Sequence, residues 1–520
     1  MRLTVLFERK SRIDGLTGHD WFERNGVVVT STFCGRMDLQ PIRRSGVYGL
    51  FFAGSPFDRL GRGGMAFADC PLSIGVPPRT RLRFARDTRP PTQMTAKTGK
   101  RTAMNAPIDV DMKTLAYSTP LDSLDPSDPR IYYEDAWQPY FERFRREAPV
   151  HKVKDSPYGP YWSVTKYKDI IQVEVNHKVF SSSDEVGGIQ INDAPKGMER
   201  TSFIRMDPPE HDQQRREVSS TVNPVTLAKM EDLIRSRTNM VLDRLPRNES
   251  FNWVEHVSIE LTSMMLATLF DYPIDDRRQL IRWSDMFICD INAPDASVKS
   301  EEERFAKQME FAEHMNGYWE DRAKKPKSFD VISILAHGDA TRHMTLREKM
   351  GVLILFLVGG NDTTRNSMTG GLWGLSQFPD QFRKLRENPA LTTGLIPEIV
   401  RWQTPVIHMR RTATEDFELR GQQIKAGDKV VIWYISGNRD EDHIDRPNEF
   451  IVDRARPREH MSFGFGIHRC LGNRLAEMQL KILWDEVLRR DIKIEVLDKP
   501  VYAYSNFLHA IRELPVRISA

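Results

Sequence analysis

A mainly α-helical fold with minor β structure is what the sequence predicts, and three observations predict it. Apolar residues recur at helical spacing through a long series from Leu227 to about Leu375. The β-rich stretches are few and short. No repeat recurs along the chain, and its 520 residues, 40% of them hydrophobic, suffice for one large core or two ordinary ones.

Taken in order, residues 1–103 differ from the rest. Arg far outnumbers Lys, Gly and Pro are frequent, and no apolar period persists. This segment holds 18 Lys and Arg against 8 Asp and Glu, a net of +10, whereas the remainder holds 57 against 64, a net of −7. It lacks the Lys-rich helix or interleaved aromatics of a nucleic-acid or membrane contact, so neither partner is expected. We read 1–103 as an N-terminal extension, disordered or an over-long gene start, with an appended domain as the alternative. Residues 104–520 form the functional domain. A helix starts in Pro139–Arg146, with Tyr140, Phe141 and Phe144 on one face, and Tyr161–Val164 reads as a strand. The helical series breaks near Pro273 and at Lys325-Pro326. Leu346–Gln377 is one long helix, about 45–50 Å at 1.5 Å per residue, ended by Pro379. Phe417–Leu419 and Lys429–Ile435 read as short strands flanking a Gly427-Asp428 turn.

The most specific segment is Phe463-Gly464-Phe465-Gly466-Ile467-His468-Arg469-Cys470-Leu471-Gly472. Glycines around a cysteine let the backbone approach a flat partner. Leu471, Leu475, Met478 and Ile482 follow at helical spacing, which puts Cys470 where a turn enters a helix. Amides at such a terminus favour a thiolate, the form that ligates haem iron. The segment resembles the cysteine loop of the cytochrome P-450 superfamily of haem-thiolate monooxygenases, whose pattern is Phe-Gly-x-Gly-x-His/Arg-x-Cys-x-Gly.

Inside the long helix stands Gly359-Gly360-Asn361-Asp362-Thr363-Thr364. Two glycines weaken a helix by about 1 kcal/mol each, which a flat cofactor lying on that face would explain. Thr363 can turn its hydroxyl back to the Gly359 carbonyl, and Asp362 can relay protons. The resemblance implies an oxygen-activating role for both. Glu398-Ile399-Val400-Arg401 places a carboxylate and a guanidinium on one helix face. In the family this pair is buried and joined by a further arginine, for which Arg454 is the candidate and Arg456 an alternative. His211 and Arg215, on a helix entered through Pro208-Pro209, resemble an element that clamps a haem propionate. Arg411 and His468 are the other matched positions.

The resemblance implies the P-450 fold, with a long central helix over haem b and Cys470 as iron ligand. It also implies an apolar pocket, drawn from Val186, Ile189, Ile191, Leu357, Val358, Val406, Ile407, Met409, Phe507 and Leu508, with no convergent charge for a polar substrate. The extended segment Leu357–Gly371 is similar to the bacterial alkane hydroxylase branch, which oxidises the terminal methyl of medium-chain alkanes and related fatty chains. With no flavin or iron–sulfur domain in the chain, NAD(P)H electrons would arrive through a ferredoxin and its reductase, which Arg469, Arg474 and Lys481 could steer. Other apolar substrates, a peroxide-driven enzyme and a non-catalytic haem-thiolate protein are the rival readings.

Cys34, Cys70, Cys289 and Cys470 are scattered and form no CxxC, which argues against disulfides and structural zinc. The apolar run Val352–Val358 is far short of the roughly 20 residues of a membrane span, and no signal peptide is visible. A cytoplasmic monomer is expected.

Overall fold

The structure is a computed structural model and describes residues 38–41, 48–51 and 111–519. The chain divides into two units, Met1–Arg101 and Thr102–Ala520. In the first, Asp38–Pro41 pairs antiparallel with Tyr48–Phe51; the rest of the expected extension lies outside the described residues.

In the second unit helices dominate, as expected, and Leu346–Gln377 is their axis. Its start is fixed by a capping box: the Thr345 hydroxyl accepts from the Glu348 amide, and the Glu348 carboxylate accepts from the Thr345 amide at 2.8 Å. Helices Ile259–Leu269, Arg277–Ile288, Glu301–Ala323 and Thr392–Gln403 pack around it. The first turns bury Met350, Leu353 and Leu357 in one apolar cluster, and the last bury Met368, Leu372 and Leu375 in another. Between them lies a buried polar belt. Asn361 accepts from Thr262 at 2.9 Å, and Asn366 accepts from the Ile511 amide at 2.8 Å. These bonds pair both amide oxygens, which helps polar side chains stand in the middle of a core helix, while the Asn361 Nδ2 is left without a partner.

The predicted helix start at Pro139 and the strand Tyr161–Val164 correspond to a helix Trp137–Glu147 and a strand Tyr161–Val164. The region after Leu227 breaks more often than expected, because Ser250–Asn252 is a strand that joins a C-terminal sheet through Pro515–Ile518. The reading around Gly427-Asp428 needs correction. Phe417–Leu419 pairs with Gln422–Ile424, whereas Lys429–Trp433 pairs antiparallel with His408–Ala413 and parallel with Tyr161–Val164. His408–Ala413 is missing from the sequence reading because His-Met-Arg-Arg-Thr-Ala does not look like a buried strand. Arg410 and Arg411 are buried there because carboxylates meet them, Asp193 and Glu174 respectively.

Candidate functional site

The cysteine loop turns twice through left-handed glycines, Gly464 (φ 64°) and Gly466 (φ 65°). A Cβ on Gly466 would lie 2.5 Å from the Glu174 carbonyl, so the loop fits only with glycine there. The Cys470 amide donates to the Phe463 carbonyl at 2.7 Å, and the helix Asn473–Arg489 follows. Cys470 is open to an internal cavity of about 300 Å³. The expected thiolate-favouring environment is incomplete. Burial pushes the thiol pKa up, and the Gly472 and Asn473 amides with Arg215 and Arg469 offset this only in part. A bound metal centre would deprotonate a coordinating thiol outright.

Across the cavity stands the central helix. The space beyond Gly359 is open, while Gly360 lies beside Leu266, its added Cβ 3.2 Å from that side chain. Both glycines line the cavity, and the space beyond Gly359 is the more open. Thr363 lines the cavity and donates to the Gly359 carbonyl at 2.9 Å. Asp362 is fully buried and points away from it. Asp362 accepts from Ser284 at 2.6 Å and from Arg365, which reaches half-exposed Asp285 at 3.1 Å. Burial raises the Asp362 pKa to about 6, against the pull of Arg365. This forms a polar link from the helix interior to the surface.

His211 sits on the helix Glu210–Val218, its Nδ1 2.8 Å from Asp212 and its Nε2 without a partner. Both ring nitrogens of His468, 4.7 Å away centroid to centroid, also lack partners. Burial, with Arg411, His211 and Arg215 nearby, pushes the His468 pKa down to about 2. Arg215 donates to the Arg469 carbonyl, and Arg411 donates to Glu174 at 3.0 Å. Glu174 went unnoticed in the sequence. It accepts as well from Tyr434 at 2.6 Å and from the Phe465 amide at 2.5 Å, joining the clamp arginine to the cysteine loop.

Glu398 and Arg401 form a two-point pair, both contacts 2.8 Å, and Arg454 adds two more at 2.9 and 3.0 Å. Arg456 instead faces Glu459. Arg401 donates to the Asn438 carbonyl at 3.0 Å, and Asn438 holds the Met461 amide and the Ser462 hydroxyl. The network thus reaches the start of the cysteine loop. Burial alone would raise the Glu398 pKa, yet Arg401 and Arg454 hold it down at about 2.

Of the expected pocket residues, Ile189, Val358, Val406, Met409, Phe507 and Leu508 line the cavity. Val186, Ile191, Leu357 and Ile407 do not. Val186 is exposed, and the other three belong to core clusters. Pro405–Met409 runs beside Phe507–His509, with the Ile407 amide on the Phe507 carbonyl at 2.9 Å, so the two stretches build one wall. His408, whose pKa burial lowers to about 4, donates to the Asn506 carbonyl and accepts from the Ile191 amide, tying the wall to the segment around Ile191. The expectation of no convergent charge is corrected: Arg200 and Arg205 also line the cavity.

Comparison with known proteins decides the family. The pattern described as "Cytochrome P450" matches residues 138–491. The chain belongs to the cytochrome P450 family. This P450 is 37% identical to "Linalool 8-monooxygenase" of Pseudomonas putida over 75% of the chain and 98% of that protein. Among solved structures it is similar to "Cytochrome P450-153 from Novosphingobium aromaticivorans", at 44% identity, TM-score 0.71, covering 76% of the chain and 99% of that structure. It is also similar to CYP153D17 from Sphingomonas sp. PAMC 26605, at 45% identity and TM-score 0.72, over 76% and 99% of the two chains.

As a P450, the protein is a monooxygenase that uses haem b and electrons derived from NAD(P)H. The residues present fit that group. A cysteine faces the open side of Gly359, and the orphaned nitrogens of His211 and His468 stand with Arg215 and Arg411 as donors for two propionates. No described helix is long and apolar enough to cross a membrane.

Proposed function

We propose that this P450 hydroxylates the terminal methyl of an apolar chain, a medium-chain alkane or a related compound, with electrons delivered by a ferredoxin and its reductase. Haem b supplies iron-based O₂ activation when Cys470 ligates it. His211, Arg215, Arg411 and His468 hold the propionates, and Glu398, Arg401 and Arg454 keep the cysteine loop in shape. Thr363 holds a proton donor on the cavity face of the central helix, and Asp362 stands behind it in the buried network with Ser284 and Arg365.

The observation that carries the regiochemistry is the wall beside Thr363. Val358, Val406, Met409, Phe507 and Leu508 line the cavity between the central helix and the paired 405–409 and 507–509 stretches. Burial in an apolar pocket contributes about 0.8 kcal/mol per CH₂, which favours long chains but chooses no carbon. Internal C–H bonds are the weaker ones, so terminal attack needs walls that admit only a chain end. The similarity of Leu357–Gly371 to the alkane hydroxylase branch supports the same reading, as does the 31% identity to a "Methyl-branched lipid omega-hydroxylase" of Mycobacterium tuberculosis. Identifying the alcohols made from an alkane by the reconstituted enzyme tests it.

A further inference from the structure

Four arginines line the cavity (Arg200, Arg205, Arg215 and Arg411), and no aspartate or glutamate does. Three of the four are accounted for. Arg411 meets Glu174, Arg205 meets Asp184 at 2.7 Å, and Arg215 stands with the two histidines beside Cys470. Arg200 is left over. Its hydrogen bond goes to a neutral amide, the Gln190 Oε1 at 2.9 Å, which Arg205 shares at 3.0 Å. Among the described residues no carboxylate lies within ion-pair distance of it. Glu301, which lines a small side pocket with Arg200, is engaged by Arg304 at 2.5 Å. Desolvation and the like charges of Arg205 and Arg304 push the Arg200 pKa down to about 9, against the smaller opposing pull of Glu301 and Asp184, so the guanidinium remains charged at neutral pH.

The position of Arg200 along the cavity is fixed by the central helix. A Cβ on Gly351 would lie 2.1 Å from the Thr201 carbonyl oxygen and 3.0 Å from the Arg200 carbonyl carbon, so this backbone rests on Gly351. Gly351 precedes Gly359 by two helical turns and Thr363 by three, about 12 and 18 Å along the axis. A half-buried guanidinium that makes no direct ion pair among the described residues therefore stands at one part of an apolar cavity whose reactive end is well removed from it.

We propose that Arg200 is a carboxylate anchor. It pairs with the ionised head of a long-chain carboxylic acid and directs the methyl end of that chain toward Thr363 and Cys470. Gln190 orients the guanidinium while leaving its other N–H donors for a two-point contact with carboxylate oxygens. The inference rests on the end-on entry of the chain proposed above.

The test uses the haem-loaded full chain and two ligands with the same acyl chain, one with a charged and one with a neutral head, dodecanoate and methyl dodecanoate, at mildly alkaline pH. Wild-type enzyme is expected to bind the acid at least about tenfold more tightly than the ester, with a preference that weakens as salt rises. Arg200→Gln is expected to erase that preference by weakening acid binding and leaving ester binding unchanged, and Arg200→Lys to retain part of it. Equal affinity of wild type for acid and ester, or an unchanged preference in Arg200→Gln, overturns the anchor. If Arg200→Gln loses haem and both ligands together, the wild-type preference and its salt dependence decide. Hydroxyl position in the product from the methyl ester reports separately on the end-on reading. In-chain products with an intact acid preference sink that reading and spare the anchor.

Discussion

Glu174 receives Arg411 at 3.0 Å on one carboxylate oxygen and the Phe465 amide at 2.5 Å on the other. One buried side chain therefore joins a strand, a helix and the cysteine loop. Removing its charge leaves Arg411 buried without a counterion, which costs about 3 kcal/mol or more. Glu174→Gln should lower the unfolding free energy by that order and speed haem release. An unchanged denaturation midpoint would show that the pair contributes little.

Glu398 ties stability to acidity. Its carboxyl is held at about 2 in the folded chain against an ordinary value of 4.5, so it binds its proton more readily when unfolded. The contribution, about 3 kcal/mol, is fully present above pH 4.5 and is lost as pH falls toward 2. The unfolding free energy should drop through that window, and Glu398→Gln should start lower and fall less steeply. Parallel curves for the two proteins would remove Glu398 as the source.

Much of this was legible in the sequence, and the limits are physical. Leu346–Gln377 was readable to its ends because a capping box opens it and Pro379 stops it. Glu398 and Arg401 were readable as a helix pair, but choosing Arg454 over Arg456 required knowing which one folds back. Glu174 carried one usable signal: it falls at i+7 from Tyr167 on the stripe that buries Ile170, an acid at a core position. Arg200 carried none, since its meaning lies in the carboxylate it lacks. Val186, Ile191, Leu357 and Ile407 were placed by analogy of position, and neighbouring side chains face opposite ways on a strand and about 100° apart on a helix.

Thr363 donates to the Gly359 carbonyl at 2.9 Å in a helix segment that faces the cavity. Thr363→Ala should retain haem and substrate but lower product per NADH by about tenfold or more, with a matching rise in released hydrogen peroxide. Undiminished coupling would take Thr363 out of the proton path.

Cys470 opens into the cavity opposite Gly359. The reduced, CO-treated protein should show the strongly red-shifted Soret band of thiolate ligation, and Cys470→Ala should abolish it. Survival of that band in the variant would refute the ligand assignment.

The function is proposed to reside in residues 104–520. A chain beginning at Met104 should express, bind haem and turn over substrate as the full chain does. Failure to take up haem would assign residues 1–103 a structural role.

Regiochemistry tests the account most directly, because area-driven binding cannot select a terminal methyl and the cavity walls must. Purified enzyme with ferredoxin, reductase, NADH and a medium-chain alkane should yield 1-alkanol as the main alcohol. A spread of internal alcohols, or no turnover of alkanes while a terpene or steroid is oxidised, would contradict it.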